Sequence, residues 1–188
     1  YGSLAGSYAG GWDTRGPSFH IDSKVERLNI HQGNVKDMKV AMTYETGKLD
    51  VMATVENEQM QGGVLLAYDL SDSLNFLSTR GQLRIDELAA FGLDIKGGQE
   101  ALETSFEIIH AGQENKSFTN LSLTDFKYTC DTATFTIDKI SMEDNQKGDH
   151  NTTTLKSDVV DLFISGNFRE LRPAPFVFRL MQNYLPAY

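Results

Sequence analysis

The sequence predicts a mostly β protein: an antiparallel meander, forming either a curled groove or a sandwich-like stack, with one short C-terminal helix. Three observations carry this. Apolar and polar residues alternate with a period of two through most of 38–168, the signature of strands with one buried face. Short polar, glycine-bearing segments punctuate the alternation. After Pro175 the spacing of apolar residues switches to one, three and four, which is helical.

Residues 1–16 carry Gly2, Gly6, Gly10, Gly11 and Gly16, with Tyr1, Tyr8 and Trp12 among them. Glycine is entropically expensive to order. The stretch reads as a loose lead-in, or as a strand with partners upstream, and 17–188 reads as a single β-rich domain. Met38, Val40, Met42 and Tyr44 share one phase. A turn at Glu45–Lys48 leads to Leu49, Val51, Ala53 and Val55, so the pair forms a hairpin. Gln61-Gly62-Gly63 reads as the next turn, before Val64, Leu66 and Tyr68, and the pairs Gly10-Gly11 and Gly97-Gly98 also read as β-turns. Leu74, Phe76, Leu83 and Ile85 continue less regularly. Residues 86–91 predict one helical turn stopped by Gly92.

Alternation resumes with Phe106 and Ile108 opposed to Glu103, Ser105 and Glu107. It continues through Leu121, Leu123, Phe126, Tyr128 and Cys130, turns near Asp131, and returns through Phe135, Ile137, Ile140 and Met142. Residues 143–151 read as a polar loop. A last strand carries Leu155, Val160, Leu162, Ile164 and Phe168. The helix, 175–185, presents Phe176, Leu180 and Tyr184, with Pro173 and Pro175 at its entry and Pro186 at its exit. It is too short to be stable unless packed.

At 188 residues, with 40% hydrophobic and 23% charged residues, the chain can bury an ordinary core without disulfides or metals. Its net charge of −9 argues against nucleic acid as a partner. The lone cysteine, Cys130, allows no internal disulfide and reads as a small buried hydrophobe. No window approaches ~18 consecutive apolar residues, so none reads as a membrane-spanning helix. The chain begins at Tyr1 without a signal segment, and reads as an interior piece of a longer protein.

The residues offer no enzyme chemistry. His20, His31, His110 and His150 stand at no metal-ligand spacing. There is no G-x-S-x-G, P-loop or dinucleotide-binding fingerprint. Strand-borne acids such as Glu103, Glu107 and Asp161 sit in the polar phase, where no apolar pocket would raise a catalytic pKa. Asp144–Asp149 lacks the ligand order of a calcium loop, and Lys147 would repel the ion. No metal, no cofactor and no catalytic residue is expected. Asn115, Asn120 and Asn151 lie in N-glycosylation frames of a kind common in Ser/Thr-rich strands.

The C-terminal third carries a recurrent pattern: Leu155, Ser157, Asp158, Asp161, Ile164, Gly166 and Phe168, then Asn183-Tyr184-Leu185-Pro186. It resembles the TamB/AsmA-like translocation and assembly module family of Gram-negative envelope proteins, and the resemblance extends back more weakly to about Met38. It implies an interior slice of a long periplasmic protein anchored in the inner membrane, built of β-rich repeats that curl around an apolar groove. It also implies lipid transport between membranes, or outer-membrane protein assembly. Expected partners are phospholipid acyl chains, neighbouring repeats of the same chain and outer-membrane assembly proteins. The groove would be lined by Val40, Met42, Tyr44, Val51, Phe106, Ile108, Phe126, Tyr128, Phe135, Ile137, Leu162 and Ile164. The alternative is a cell-surface β-sandwich binding glycans or protein, in which the same residues form a dry core.

Overall fold

The computed structural model describes residues 2–13, 16–70, 75–93, 98–113, 115–131 and 133–167. They form one antiparallel sheet of eleven strands in strict meander order, β1 to β11, which does not close on itself. The strands are β1 (Gly2–Asp13), β2 (Gly16–Ile30), β3 (Gly33–Glu45), β4 (Lys48–Glu56), β5 (Met60–Asp69), β6 (Asn75–Ile85), β7 (Glu100–Gln113), β8 (Lys116–Cys130), β9 (Ala133–Lys147), β10 (His150–Ser157) and β11 (Asp161–Gly166). No second sheet faces this one among the described residues, so the sandwich-like form is not seen there. The expected helix at 175–185 lies outside the described residues, as does Phe168.

Turn chemistry fixes the register. Thr46 and Gly47 both have positive φ, 49° and 82°, the type I′ geometry whose twist matches a two-residue hairpin. At β4–β5 the Asn57 side-chain oxygen accepts from the backbone N–H groups of Gln59 and Met60, both at 2.9 Å, an Asx-type turn. At β10–β11 the Ser157 hydroxyl does the same for Val159 and Val160.

Three sequence readings are corrected. Residues 2–13 are not a loose lead-in or a turn: they form β1 and pair with β2 downstream, Asp13 opposite Gly16. Gln61-Gly62-Gly63 lies inside β5, paired with Arg84, Leu83 and Gln82. A Cβ on Gly62 would lie 2.4 Å from the Gln82 carbonyl oxygen, and one on Gly81 2.3 Å from that of Gly63. These glycines therefore let adjacent strands approach closely, as at a bend in a curved sheet, and the Phe106 ring covers Gly81. Residues 143–147 and 150–157 are strand, and only Gly148-Asp149 turns between them. Their polar composition hid a polar row of the sheet.

The predicted turn at 86–91 is a 3₁₀ helix, η1 (Leu88–Phe91), closed by Gly92 in the left-handed region. Leu88 and Phe91 are buried. They join one apolar cluster with Val35 of β3, Ile85 of β6, Phe126 and Tyr128 of β8, Ile137, Ile140 and Met142 of β9, and Leu155 of β10. The segment around η1 is tied to neighbouring turns. Gln32 N–H donates to the Ala90 carbonyl (3.0 Å), and Asp86 N–H to the Gln59 carbonyl (3.0 Å). The Gln59 side chain accepts from Asn34 N–H (2.9 Å) and donates to Glu87 (2.8 Å). Asp131 N–H donates to the Gln99 carbonyl at 2.8 Å.

The close approach at the glycine bend yields a prediction. Gly81→Val, which β-propensity alone would favour, is expected to destabilise the protein by about 1–3 kcal/mol through overpacking against Phe106 and the Gly63 carbonyl. Urea denaturation checks it; an unchanged or raised midpoint would refute the bend.

Candidate functional site: an apolar floor with a polar end

Directly paired residues of neighbouring antiparallel strands lie on the same face, so the register defines rows across the sheet. One row crosses every strand: Tyr8, Ile21, Met42, Val51, Leu66, Thr79, Ile108, Leu121, Met142, Leu155 and Leu162. Thr79 is its one small polar member. The next row runs Val40, Ala53, Val64, Gly81, Phe106, Leu123 and Ile140 from β3 to β9. These two rows form an apolar floor on one face.

Two bulged regions keep that floor continuous. Between Glu103 and Ser105 of β7, β8 carries one residue more than its partner, and Asp125 takes a positive φ of 54°. The phase of β8 shifts there, and Phe126 and Tyr128 stay buried with Leu121 and Leu123 packed beside them. In β2 an extra residue at Glu26 opposes the step from Ser3 to Leu4. Asp37 beside it, φ 56°, pairs with Lys24 at 2.6 Å on the surface. Such bulges re-aim side chains without ending the sheet.

The sequence-predicted strip is thereby placed. Val40, Met42, Tyr44, Val51, Phe106 and Ile108 lie on these rows or the one beyond, as do Leu162 and Ile164. Phe126, Tyr128, Phe135 and Ile137 pair with one another in two cross-strand couples at the η1 end. Burial is uneven. On β2–β5 the floor side chains are half-buried, while on β8–β10 Phe126, Tyr128, Met142 and Leu155 are fully buried. Outward-facing Glu107 and Asp161 are exposed.

The third row changes character along the sheet. From β2 to β6 it is apolar: Phe19, Tyr44, Leu49, Tyr68 and Leu77, with Phe19 and Tyr44 stacked at 5.2 Å. From β7 to β10 it becomes His110, Thr119, Asp144 and Thr153. His110 Nδ1 and the Thr119 hydroxyl lie 2.8 Å apart, and the Thr153 hydroxyl donates to Asp144 at 2.5 Å. One step further, Ser117, Gln146 and Asn151 extend this polar end. Asn151 is 1% exposed, and among the described residues neither its amide nitrogen nor its oxygen has a hydrogen-bond partner. Sequence reading missed this polar end, because its residues looked like a loop.

At the opposite end lies a buried polar contact. The Tyr128 hydroxyl donates to Glu100 at 2.6 Å, with the residues 3% and 2% exposed. Burial, then the hydrogen bond to Glu100, pushes the phenol well above its ordinary value of 10.0. Cys130 also contacts Tyr128 and packs against the apolar cluster. Among the described residues no three His, Cys, Asp or Glu side chains converge as metal ligands, and no helix is long and apolar enough to cross a membrane.

Two predictions follow from the two ends. Because the Tyr128 phenol holds its proton more tightly in the folded state than in the unfolded chain, its contribution to stability falls as pH rises above 10.0. Tyr128→Phe is expected to cost about 1–3 kcal/mol at neutral pH by removing a donor from a buried carboxylate, and to flatten the alkaline loss of stability. Denaturant titrations at neutral and alkaline pH check both. At the polar end, Asn151→Leu is expected to raise the melting temperature, since an unpaired buried amide costs about 1–3 kcal/mol; a lowered value would show that the amide is satisfied in solution.

Comparison of the chain with family models, with curated proteins and with solved structures found no match.

Proposed function

We propose that the chain is a segment of a lipid-handling trough. It would belong to a TamB/AsmA-like envelope protein of the periplasm, anchored elsewhere in its chain to the inner membrane, that moves lipids between membranes or aids outer-membrane protein assembly. The observation that carries this reading is the apolar row that crosses all eleven strands of one unclosed sheet. With strands spaced ~4.8 Å apart, the row measures roughly 48 Å along the curve. That is about three times the ~15 Å half-thickness of a bilayer core, so an acyl chain fits along it.

The mechanism is an exchange of solvent. The floor takes the place of the bilayer interior for the acyl chain, and each methylene covered contributes about 0.8 kcal/mol. The half-buried positions on β2–β5 give partial cover, so that lipid is held weakly enough to leave. A headgroup stays outside the floor, in water or against the polar end. No side chain in this scheme does covalent chemistry. The glycan- or protein-binding sandwich gains no support, since that architecture needs a second sheet over the same face.

The test places a photo-crosslinking side chain at Met42 or Leu66 on the floor, and at Glu107 or Asp161 on the outer face, in cells expressing the longer polypeptide. Lipid adducts are expected at the floor positions and not at the outer ones. Equal adducts on both faces, or none, would overturn the trough.

A further inference from the structure

The polar end of the floor holds more bonding capacity than its own contacts use. On β7–β10, the row from His110 to Thr153 and the row from Gly112 to Asn151 are polar at every residue but the glycine. Part of this polarity is spent internally: His110 Nδ1 on Thr119, and one Asp144 oxygen on Thr153. Among the described residues three capacities remain open. They are His110 Nε2, the second oxygen of Asp144, and both ends of the Asn151 amide. A Cβ on Gly112 would stand 3.2 Å from His110 Nε2, so the glycine leaves that nitrogen room. Asn151 is 1% exposed. A buried amide left unpaired costs stability, and its presence calls for a partner that these strands do not supply. A water would serve Asn151 alone; three open groups on neighbouring strands fit a larger group that bonds at several points.

Charge narrows the class of that group. On β7–β10 neither row carries a lysine or an arginine, and Asp144 is the one carboxylate. A phosphate set here would face a like charge with no counter-cation beside it. Hydroxyls fit, because each one both donates and accepts. They can donate to Asp144, do both with the Asn151 amide, and do either with His110 according to its tautomer. Position narrows it further. The polar row lies two residues along each strand from the row that crosses the sheet, about 7 Å away. On β7 the neighbour of His110 in that row is Ile108, and from there the row runs to Leu66, Val51 and Met42, all half-buried. A headgroup at the polar end therefore leaves its acyl chain on the open part of the floor.

We propose that the polar end is a headgroup seat for an uncharged, hydroxyl-bearing lipid of the glycosyl diacylglycerol class, and that it discriminates against anionic phosphate headgroups. The place given to the acyl chain rests on the trough reading, whereas the seat rests on the polar rows. Asn151, a cost to the empty protein, is the group that the headgroup completes.

The experiment uses the whole chain. It is incubated with vesicles of monoglucosyl diacylglycerol, phosphatidylglycerol and phosphatidylethanolamine in equal parts, all with the same acyl chains. The lipid that the protein carries off is then measured by mass spectrometry. Uptake of the glycolipid should exceed that of phosphatidylglycerol about tenfold, the effect of one or two hydrogen bonds in a buried site. Asn151→Leu, the variant expected to be the more stable, should bring the glycolipid down to the level of phosphatidylglycerol, with strand content unchanged by circular dichroism. Asp144→Asn, which keeps an acceptor for Thr153, should raise the uptake of phosphatidylglycerol. Equal uptake by the unsubstituted chain, or a preference that survives Asn151→Leu, overturns the seat and leaves the trough standing; the polar end then holds only water. A preference for phosphatidylethanolamine over the glycolipid also overturns it, since Asp144 would then receive an ammonium. Uptake of no lipid overturns the trough, and the seat is then judged by titration with methyl glucoside. Chemical-shift changes at His110 and Asn151 that vanish in Asn151→Leu uphold a sugar site, and unchanged spectra overturn it.

Discussion

Among the described residues a single sheet with one apolar face has no partner layer to bury it, and most of its features answer that constraint. Stable domains pack two layers around a core. Here eleven strands supply one layer, and part of the cover comes from η1, four residues long, set at one end with Leu88 and Phe91 buried. The plug works because it is held from two sides: by the β2–β3 turn through Gln32 and by the β4–β5 turn through Gln59. Each bond alone contributes about 1 kcal/mol. Together they join connections that a meander would otherwise leave independent.

The same constraint explains why the bulges matter. A strand alternates faces with a period of two, so one extra residue sends every later side chain to the wrong side. In β8 the apolar residues are odd-numbered at Leu121 and Leu123 and even-numbered at Phe126 and Tyr128. In β9 they are odd at Phe135 and Ile137 and even at Ile140 and Met142. Had only one strand switched, the pairs Phe126–Ile137 and Tyr128–Phe135 could not both be buried. The two strands change phase side by side, opposite each other, and the floor survives.

Much of this was legible in the sequence. The alternation gave the fold class, the β3–β4 hairpin and the face of the twelve strip residues, because burying one side of a strand is the strongest demand on its composition. The helical turn before Gly92 was legible because a left-handed residue is needed to end it. Three features were not. Gly62-Gly63 resembles a turn, and only the register shows that the pair lies inside β5, with Gly62 where the Gln82 carbonyl comes too close for a Cβ. Residues 143–151 resemble a loop because hydropathy cannot tell a polar strand from solvent-exposed coil. In β1 glycine replaces every second floor residue, which erases the apolar phase that identifies a strand.

These missed features share a physical cause: each is a place where the sheet meets something other than its own core. The polar end on β7–β10 pairs polar side chains across strands, His110 with Thr119 and Thr153 with Asp144, where the floor elsewhere places aliphatics. The glycine bend meets the backbone of its neighbour, so no side chain is allowed. In β1 glycines alternate with Tyr8 and Trp12 on the floor phase, so the strand packs on β2 with little of its own side-chain bulk. On the proposed reading, burial grades the floor in the same sense. The β8–β10 part is already covered and behaves as a core, so truncating Met142 or Leu155 there should act on stability. On β2–β5 the floor is half-open, so truncating Met42 or Val51 should act more on what the floor holds than on whether the protein folds.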